Sequence, residues 1–376
     1  EALTQVITAR LRAKGVFVRY DAEERIKTGL DKGASIYDIF PFTTEEETKG
    51  HKNRAINPLY IFTSPTKEMW LIDFFKLEDY RDEIKELIYQ KDRYFVKVFD
   101  GKKVIISSTY LNFENLPDNY IGDRIAGMPA ELVNFNIYGD PFSKSGGEYA
   151  YGFNYSDHVD PSVKYSAGYP LHFTVDFNTS PYMSGLVAQL VPMRSEIAGY
   201  KWNNRESWLD LNFIYEYSLS HPRNSAGHLG EAFAEDFSHL SGHGIFVYGD
   251  ATGKNKVPIK GVESAFSDLL LPLDRFLFRD SLRIPASNPS YKHISKDMLG
   301  RRDFTNMLFE GKHPVRVRIS PKCANYIRDL EFCTEDVNGR LAKPKNKDGI
   351  EEMGHHLQAG EYFYCHPKSL GYLAEY

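Results

Sequence analysis

The sequence predicts an α/β protein whose second half is built on a mixed sheet. Two observations point to α/β layering: short apolar runs alternate with segments of helical period in the first 130 residues or so, and again after residue 171. A third is the order in the later half, which reads three strands, helix, strand, helix, strand, helix. The chain has 376 residues, a length suited to two or three domains. It is 42% hydrophobic and 26% charged, an ordinary globular balance. No run of about 18 apolar residues occurs, so no membrane span is expected. The start, EALTQVITARLRAKG, lacks the apolar core and cleavage site of a secretory signal. Cys323, Cys333 and Cys365 have neither paired spacing nor density, which favours a reducing compartment over a disulfide or zinc framework.

Residues 1–20 read as a helix, a turn at Gly15 and a short strand. LYIF reads as a strand, followed by a Thr-Ser-Pro turn and a helix toward residue 76; residues 79–94 hold another, charged helix. VKVFD and KKVIISSTY form a hairpin around Asp100-Gly101, a strong two-residue turn signal. Residues 134–170 are rich in Gly, Tyr, Ser and Asp and read as a connector between a first domain, 1–133, and a second, 171–376. In the second, LHFTVDFN, SGLVAQLVPM and DLNFIYEYSL are strands and SAGHLGEAFAEDFSHL is a helix. HGIFVYGD is a fourth strand, VESAFSDLLLPLDRFLF a helix, PVRVRIS a late strand, and GIEEMGHHLQAGEYFYCHP a closing helix.

Net charge is −5, which disfavours a general nucleic-acid coat but leaves room for a carboxylate-rich nuclease site. The bases are uneven. Lys254, Lys256 and Lys260 follow VYGDATG, Lys312, Arg316 and Arg318 sit in KHPVRVRIS, and Arg340, Lys343, Lys345 and Lys347 crowd into GRLAKPKNK. Each is a solvated loop or part of a phosphate-tracking surface. Tyr and Phe in YAYGFNY either stack on bases or pack a core.

Two acids end apolar strands far apart in sequence, Asp176 in HFTVDFN and Asp250 in IFVYGD. Adjacent strand ends would bring the two carboxylates to one edge, where they repel unless a cation is present. Magnesium or manganese relieves that repulsion, and one or two such ions serve phosphodiester hydrolysis. The alternative for Asp176 is a hydrogen-bonded strand-end acid, and for Asp250 an ordinary Asp-Ala-Thr-Gly turn. The small residues after Asp250 would leave room for a metal and a phosphate. Glu216, inside the apolar run FIYEYSL, is a metal ligand, or a partner that holds a ligand in place, if it faces the same edge. Strand alternation puts it on one face with Ile214 and Ser218.

Three strands, a helix and a strand, with acids on the first and fourth strands, is the pattern of the ribonuclease-H-like fold. Such a fold takes a third ligand from a C-terminal helix, and DGIEEMGHHLQAGEY offers Asp348, Glu351, Glu352, His355, His356 and Glu361.

VDFNTSP, YGDATG and GHHLQAGEY resemble, in order, the three nuclease motifs of the large subunit of tailed-phage terminases. Upstream, EALTQVITARLR resembles the segment that begins at the Walker B glutamate, which would make Glu1 that acid. FTSPTKEMW, with Thr63 and Ser64, resembles the coupling motif, and IISSTYLNFENLPDNYI the end of the ATPase domain. The resemblance spans nearly the whole chain. It implies a partial P-loop-type ATPase α/β domain lacking its Walker A strand, then a ribonuclease-H-like nuclease domain. It implies Mg²⁺ or Mn²⁺ at Asp176 and Asp250, and ATP only in an intact motor. The implied partners are double-stranded viral DNA, a portal protein and a small terminase subunit. A monomer in isolation, a ring on the portal and the host cytoplasm complete the expectation.

Two departures qualify it. No glycine-rich Gly-Lys-Ser/Thr loop is present, so the chain looks truncated at its start and is not expected to hydrolyse ATP alone. The third motif reads Gly354-His355-His356-Leu357-Gln358-Ala359-Gly360-Glu361-Tyr362, with Gln358 where the family carries a metal-binding aspartate. Glu361, Asp348 or His355 through a water would substitute, or the site binds one ion and cuts weakly. His355 and His356 are otherwise surface or capped helix histidines. Lys254, Lys256, Arg340, Lys343 and Lys345 would hold the DNA backbone. The competing readings are a DNA-binding motor component with a silenced nuclease, or another ribonuclease-H-like enzyme.

Overall fold

A computed structural model of the chain describes residues 69–99, 102–192, 201–202, 205–206, 209–250, 253, 264–274, 276, 298–313, 315–345 and 349–366. Glu1, Thr63, Ser64, Lys254, Lys256 and Asp348 lie outside the described residues. The chain divides into two compact units, Glu1–Gly146 and Gly147–Tyr376.

In the first unit, helix α1 (Met69–Phe74) precedes helix α2 (Arg81–Ile88). Strands β1 (Tyr94–Phe99) and β2 (Lys102–Ser107) pair antiparallel, with Phe99 opposite Lys102, so two residues join them as the turn signal requires. Ile84, Ile88 and Phe95 are fully buried, so the apolar stripe of α2 covers one face of this hairpin. Helices α3 (Tyr120–Ala126) and α4 (Ala130–Asn136) complete the unit. Buried Asp140 is satisfied locally by the Tyr89 hydroxyl, the Ser143 hydroxyl and the Phe142 amide.

The second unit opens with a one-turn helix, α5 (Tyr155–His158), and strands β3 (Leu171–Asp176) and β4 (Tyr182–Pro192). A two-residue pair, β5 (Lys201–Trp202) and β6 (Arg205–Glu206), precedes β7 (Leu209–Ser220). Then follow α6 (Ala226–Phe237), β8 (Ile245–Gly249), α7 (Ala265–Leu270) and α8 (Met298–Phe309). Strand β9 (Val315–Ile319) and helices α9 (Ala324–Phe332) and α10 (His355–Tyr364) follow. Five strands form one mixed sheet in the order β8-β3-β4-β7-β9; β3 pairs antiparallel with β4 and parallel with β8. Helices α8 and α9 carry no counterpart in the strand-and-helix order read from the sequence.

The sheet is covered on both faces, which is why all six residues of β3 are buried. On one side, Leu171, Phe173 and Val175 pack with Leu229, Phe233 and Phe237, the i, i+4, i+8 stripe of α6. Ser225 starts that helix by accepting the His228 amide. Pro272 follows α7, where it closes the predicted longer helix with a 3₁₀ turn. On the other side, Leu186, Phe213 and Ile319 pack with Tyr326 and Leu330 of α9 and Leu357 and Phe363 of α10.

The 134–170 stretch is partly built into this second unit. Tyr149 and Phe153 are buried in its core, and Val159 bridges Ile319, so YAYGFNY contributes mainly packing. Of its aromatic side chains Tyr151 is the exposed one.

A bulge corrects one face assignment. The β4–β7 register shifts between Val187 and Ala188, skipping Ile214. Ile214 therefore packs on the α6 side, while Glu216 and Ser218 face α9.

Candidate active site

The parallel pairing of β3 and β8 sets Val175 opposite Gly249, so the next residue on each strand is an acid: Asp176 and Asp250. Neighbouring strands run about 4.8 Å apart. Side chains alternate, and His172, Thr174 and Asp176 all face α10, as do Phe246 and Tyr248 on the adjacent strand. Asp250 continues that alternation. Both acids thus stand at one sheet edge beneath one helix.

Helix α10 runs along β3 with residues 355, 359 and 363 at helical spacing. His355 meets Asp176, the Ala359 carbonyl accepts the Thr174 hydroxyl, and Phe363 packs on His172. Nδ1 of fully buried His355 lies 2.9 Å from Oδ2 of Asp176, and Nε2 lies 2.9 Å from Nδ2 of Asn178. These partners fit a ring that donates from Nδ1 to the carboxylate and accepts from the amide at Nε2. Asn178 was not among the residues singled out in the sequence, yet it follows Asp176 by two and shares its face.

Gln358 lies three residues after His355, and Tyr362 seven, on the same helical face. Burial first, then the charges of Asp176 and Asp250, hold the Tyr362 phenol above its ordinary value, which locates the helix over both acids. Gln358 is half-buried at the position where a third carboxylate was expected.

Glu361 does not stand in for it. Its Oε1 accepts the Tyr149 hydroxyl at 2.6 Å, and its Oε2 lies 3.5 Å from the Arg301 guanidinium. It is almost wholly buried, and that burial raises its carboxyl above the ordinary range despite Arg301. One oxygen is committed to a hydrogen bond and the other to a structural ion pair. His356 is likewise internal, with Nε2 beside the Tyr217 carbonyl at 2.9 Å and the Ser218 hydroxyl at 3.2 Å. Glu216 is a helix cap: Oε1 accepts the amides of Asn325, and Oε2 accepts the Tyr326 N–H, at the start of α9.

Lys343 is also relocated. It is 13% exposed, not a surface contact, with Nζ 3.8 Å from Asp176 Oδ2, 3.2 Å from His355 Nδ1 and 3.1 Å from Glu351 Oε2. Backbone bonds from Ala342 to Thr334 and from Glu352 to Pro344 fix its strand-like segment beside the notch. Arg340 and Lys345 remain exposed on the same segment. Arg316 and Arg318 are paired with Asp210 and Asp160, and Lys312 with Glu310, so KHPVRVRIS presents compensated charge.

Of the small residues after Asp250, Gly253 is the described one, and the Phe177 ring takes up the space beside it. A Cβ on Gly249 or Gly253 would meet the Phe177 ring at 2.9 or 2.3 Å, so these glycines admit an aromatic side chain. Among the described residues, no group of three or more His, Cys, Asp or Glu side chains is arranged to hold a metal ion. The donors do fit one hydrated Mg²⁺, an ion that keeps several waters and is commonly held through one or two carboxylates. Also among the described residues, no helix is long and apolar enough to cross a membrane.

No protein-family model matches the chain, and no curated protein matches it. Among solved structures, the chain is similar to the large terminase from a thermophilic bacteriophage: 15% identity and TM-score 0.37, covering 70% of this chain and 54% of that one. It is similar too to the nuclease domain of the P22 large terminase: 13% identity and TM-score 0.38, covering 60% of this chain and 94% of that one. The thermophilic-phage terminase in complex with ATP-gamma-S matches at 14% identity and TM-score 0.36, over 85% of this chain and 65% of that one. The chain thus spans about half the length of the first large terminase structure it matches.

Proposed function

We propose that the second unit is a metal-dependent DNA endonuclease, the cutting part of a viral packaging terminase large subunit. The observation that carries this reading is the β3–β8 register, which sets Asp176 and Asp250 side by side beneath α10. Strand order supports a ribonuclease-H-like sheet: three antiparallel strands, a helix, and a fourth strand parallel to the first, with β9 added at the far edge. The three ordered motifs that resemble the terminase family fall on this edge and its covering helix.

Asp176 and Asp250 would hold Mg²⁺ or Mn²⁺, and Gln358 offers a neutral amide oxygen without charge. A divalent cation bound there supplies Lewis-acid stabilisation of phosphoryl charge and activation of water. His355 fixes the Asp176 carboxylate through Nδ1, and Asn178 fixes the ring from its other side. Exposed Lys345 and Arg340 lie on the segment that carries Lys343 and would contact DNA phosphates without reading bases. In an intact motor, the upstream segment would belong to an ATPase coupled to DNA translocation, working with a portal protein and a small subunit in the host cytoplasm.

Asp176→Asn is expected to abolish manganese-dependent nicking of supercoiled plasmid while the circular dichroism spectrum stays unchanged. Full nicking by that variant overturns the assignment. Gln358 in place of a carboxylate favours a second reading, a packaging component with a silenced nuclease, which the Gln358→Asp variant separates from the first.

A further inference from the structure

We propose that Lys343 is the resident second cation of this notch, so that the site takes one divalent ion and a lysine ammonium instead of two ions. The inference rests on reading Asp176 and Asp250 as metal ligands, and it concerns how their charge is balanced. With Gln358 neutral, the acids at the strand ends are two, Asp176 and Asp250, and Glu351 adds a third from the neighbouring segment. Lys343 brings one positive charge to 3.8 Å from Asp176 and 3.1 Å from Glu351. At 13% exposure it is held in place, not sampling solvent. Its stem packs against Gly354, where an added Cβ would meet Lys343 Cγ at 3.3 Å, and Gly354 has φ of 91°, so the close approach needs glycine. Bridges from Glu335 to Leu341 and from Lys345 to Glu351 pin the segment on both sides.

A fixed ammonium beside Asp176 opposes an incoming divalent ion and satisfies charge that would otherwise attract a second. The same ammonium would attract a DNA phosphate that reaches the notch. Removing it has opposite effects on binding and on cutting, which a purely structural role would not produce.

Mn²⁺ titration calorimetry on the full chain tests this, with plasmid nicking as the second readout. The wild type is expected to bind one ion. Lys343→Met, which keeps the stem, is expected to bind Mn²⁺ about tenfold tighter or to take a second ion, while nicking more slowly. Lys343→Gln serves if the Met variant fails to fold, with the same expectation. Lys343→Arg keeps the charge and is expected to retain wild-type affinity. Unchanged or weaker Mn²⁺ binding in the neutral variants overturns the role of Lys343 alone, provided that Asp176→Asn loses binding. Unchanged Mn²⁺ binding in Asp176→Asn overturns the metal reading itself.

Discussion

Oδ2 of Asp329 accepts the backbone N–H of His356 at 2.9 Å, so one helix holds the first turn of the next. The same carboxylate takes the N–H groups of Gly354 and Leu357, at 2.8 and 3.1 Å. Glu216 does the same for the helix that carries Asp329. Two buried or half-buried acids therefore pass position from β7 to α9 to α10, and α10 delivers His355 to Asp176.

Removing the Asp329 cap leaves three N–H groups without their acceptor in a dry interior. Asp329→Ala is expected to destabilise the second unit by roughly 3 kcal/mol, and Asp329→Asn by less, because one oxygen remains. Urea unfolding of the three proteins checks the order. A loss in Ala no larger than a surface substitution would show that α10 is positioned by packing alone.

Gly249 ends β8 immediately before Asp250. An added Cβ there would lie 2.9 Å from the Phe177 ring, 3.0 Å from the Val175 carbonyl and 3.1 Å from the Phe266 ring. The carbonyl belongs to the paired strand and cannot turn aside. Gly249→Ala is expected to cost about 1–3 kcal/mol by overpacking. It should also weaken Mn²⁺ binding by moving Asp250 off Asp176. Thermal melts with and without Mn²⁺ measure both.

His172 is buried between Phe246 and Phe363, and desolvation pushes its pKa down to about 3 from 6.5. The unfolded chain binds a proton below pH 6.5 that the folded chain refuses. Stability attributable to this site is therefore intact above pH 6.5 and falls as pH drops toward 3, by at most about 1.4 kcal/mol per pH unit. His172→Phe is expected to flatten that part of the denaturation-versus-pH curve. An unaltered slope in the variant would count against a neutral buried imidazole.

Gln358→Asp introduces a negative charge one turn after His355 on the helix that lies against β3 and β8. Glu361, engaged by Tyr149 and Arg301, does not substitute for it. Manganese-dependent nicking is expected to rise about tenfold, in line with one added hydrogen-bonding or metal-binding group. No change would mean that another side chain already serves as third ligand.

Part of the candidate site is legible in the sequence. An acid at the end of an apolar run is costly to bury and therefore conspicuous, which picks out Asp176 and Asp250. Residues whose role depends on orientation are not. Glu216, Glu361 and Lys343 are ordinary charged residues in the sequence; a bulge at Ile214, an interior arginine and a pinned segment decide what each one faces. Asp329 gives no signal at all, since it sits within a helix of mixed polarity and caps a helix 25 residues later.

By itself, the sequence determined the layered α/β pattern, the main strands of the second unit, the two strand-end acids and the neutral residue at the third position. Period and polarity are local properties, and they survive without knowledge of neighbours. Only the tertiary structure decided that β8 pairs parallel to β3 in the register that joins Asp176 to Asp250. It alone decided that Glu361 turns inward and that Lys343 enters the notch. Register and side-chain direction are set by contacts between residues far apart in the chain, so no stretch of sequence read alone contains them.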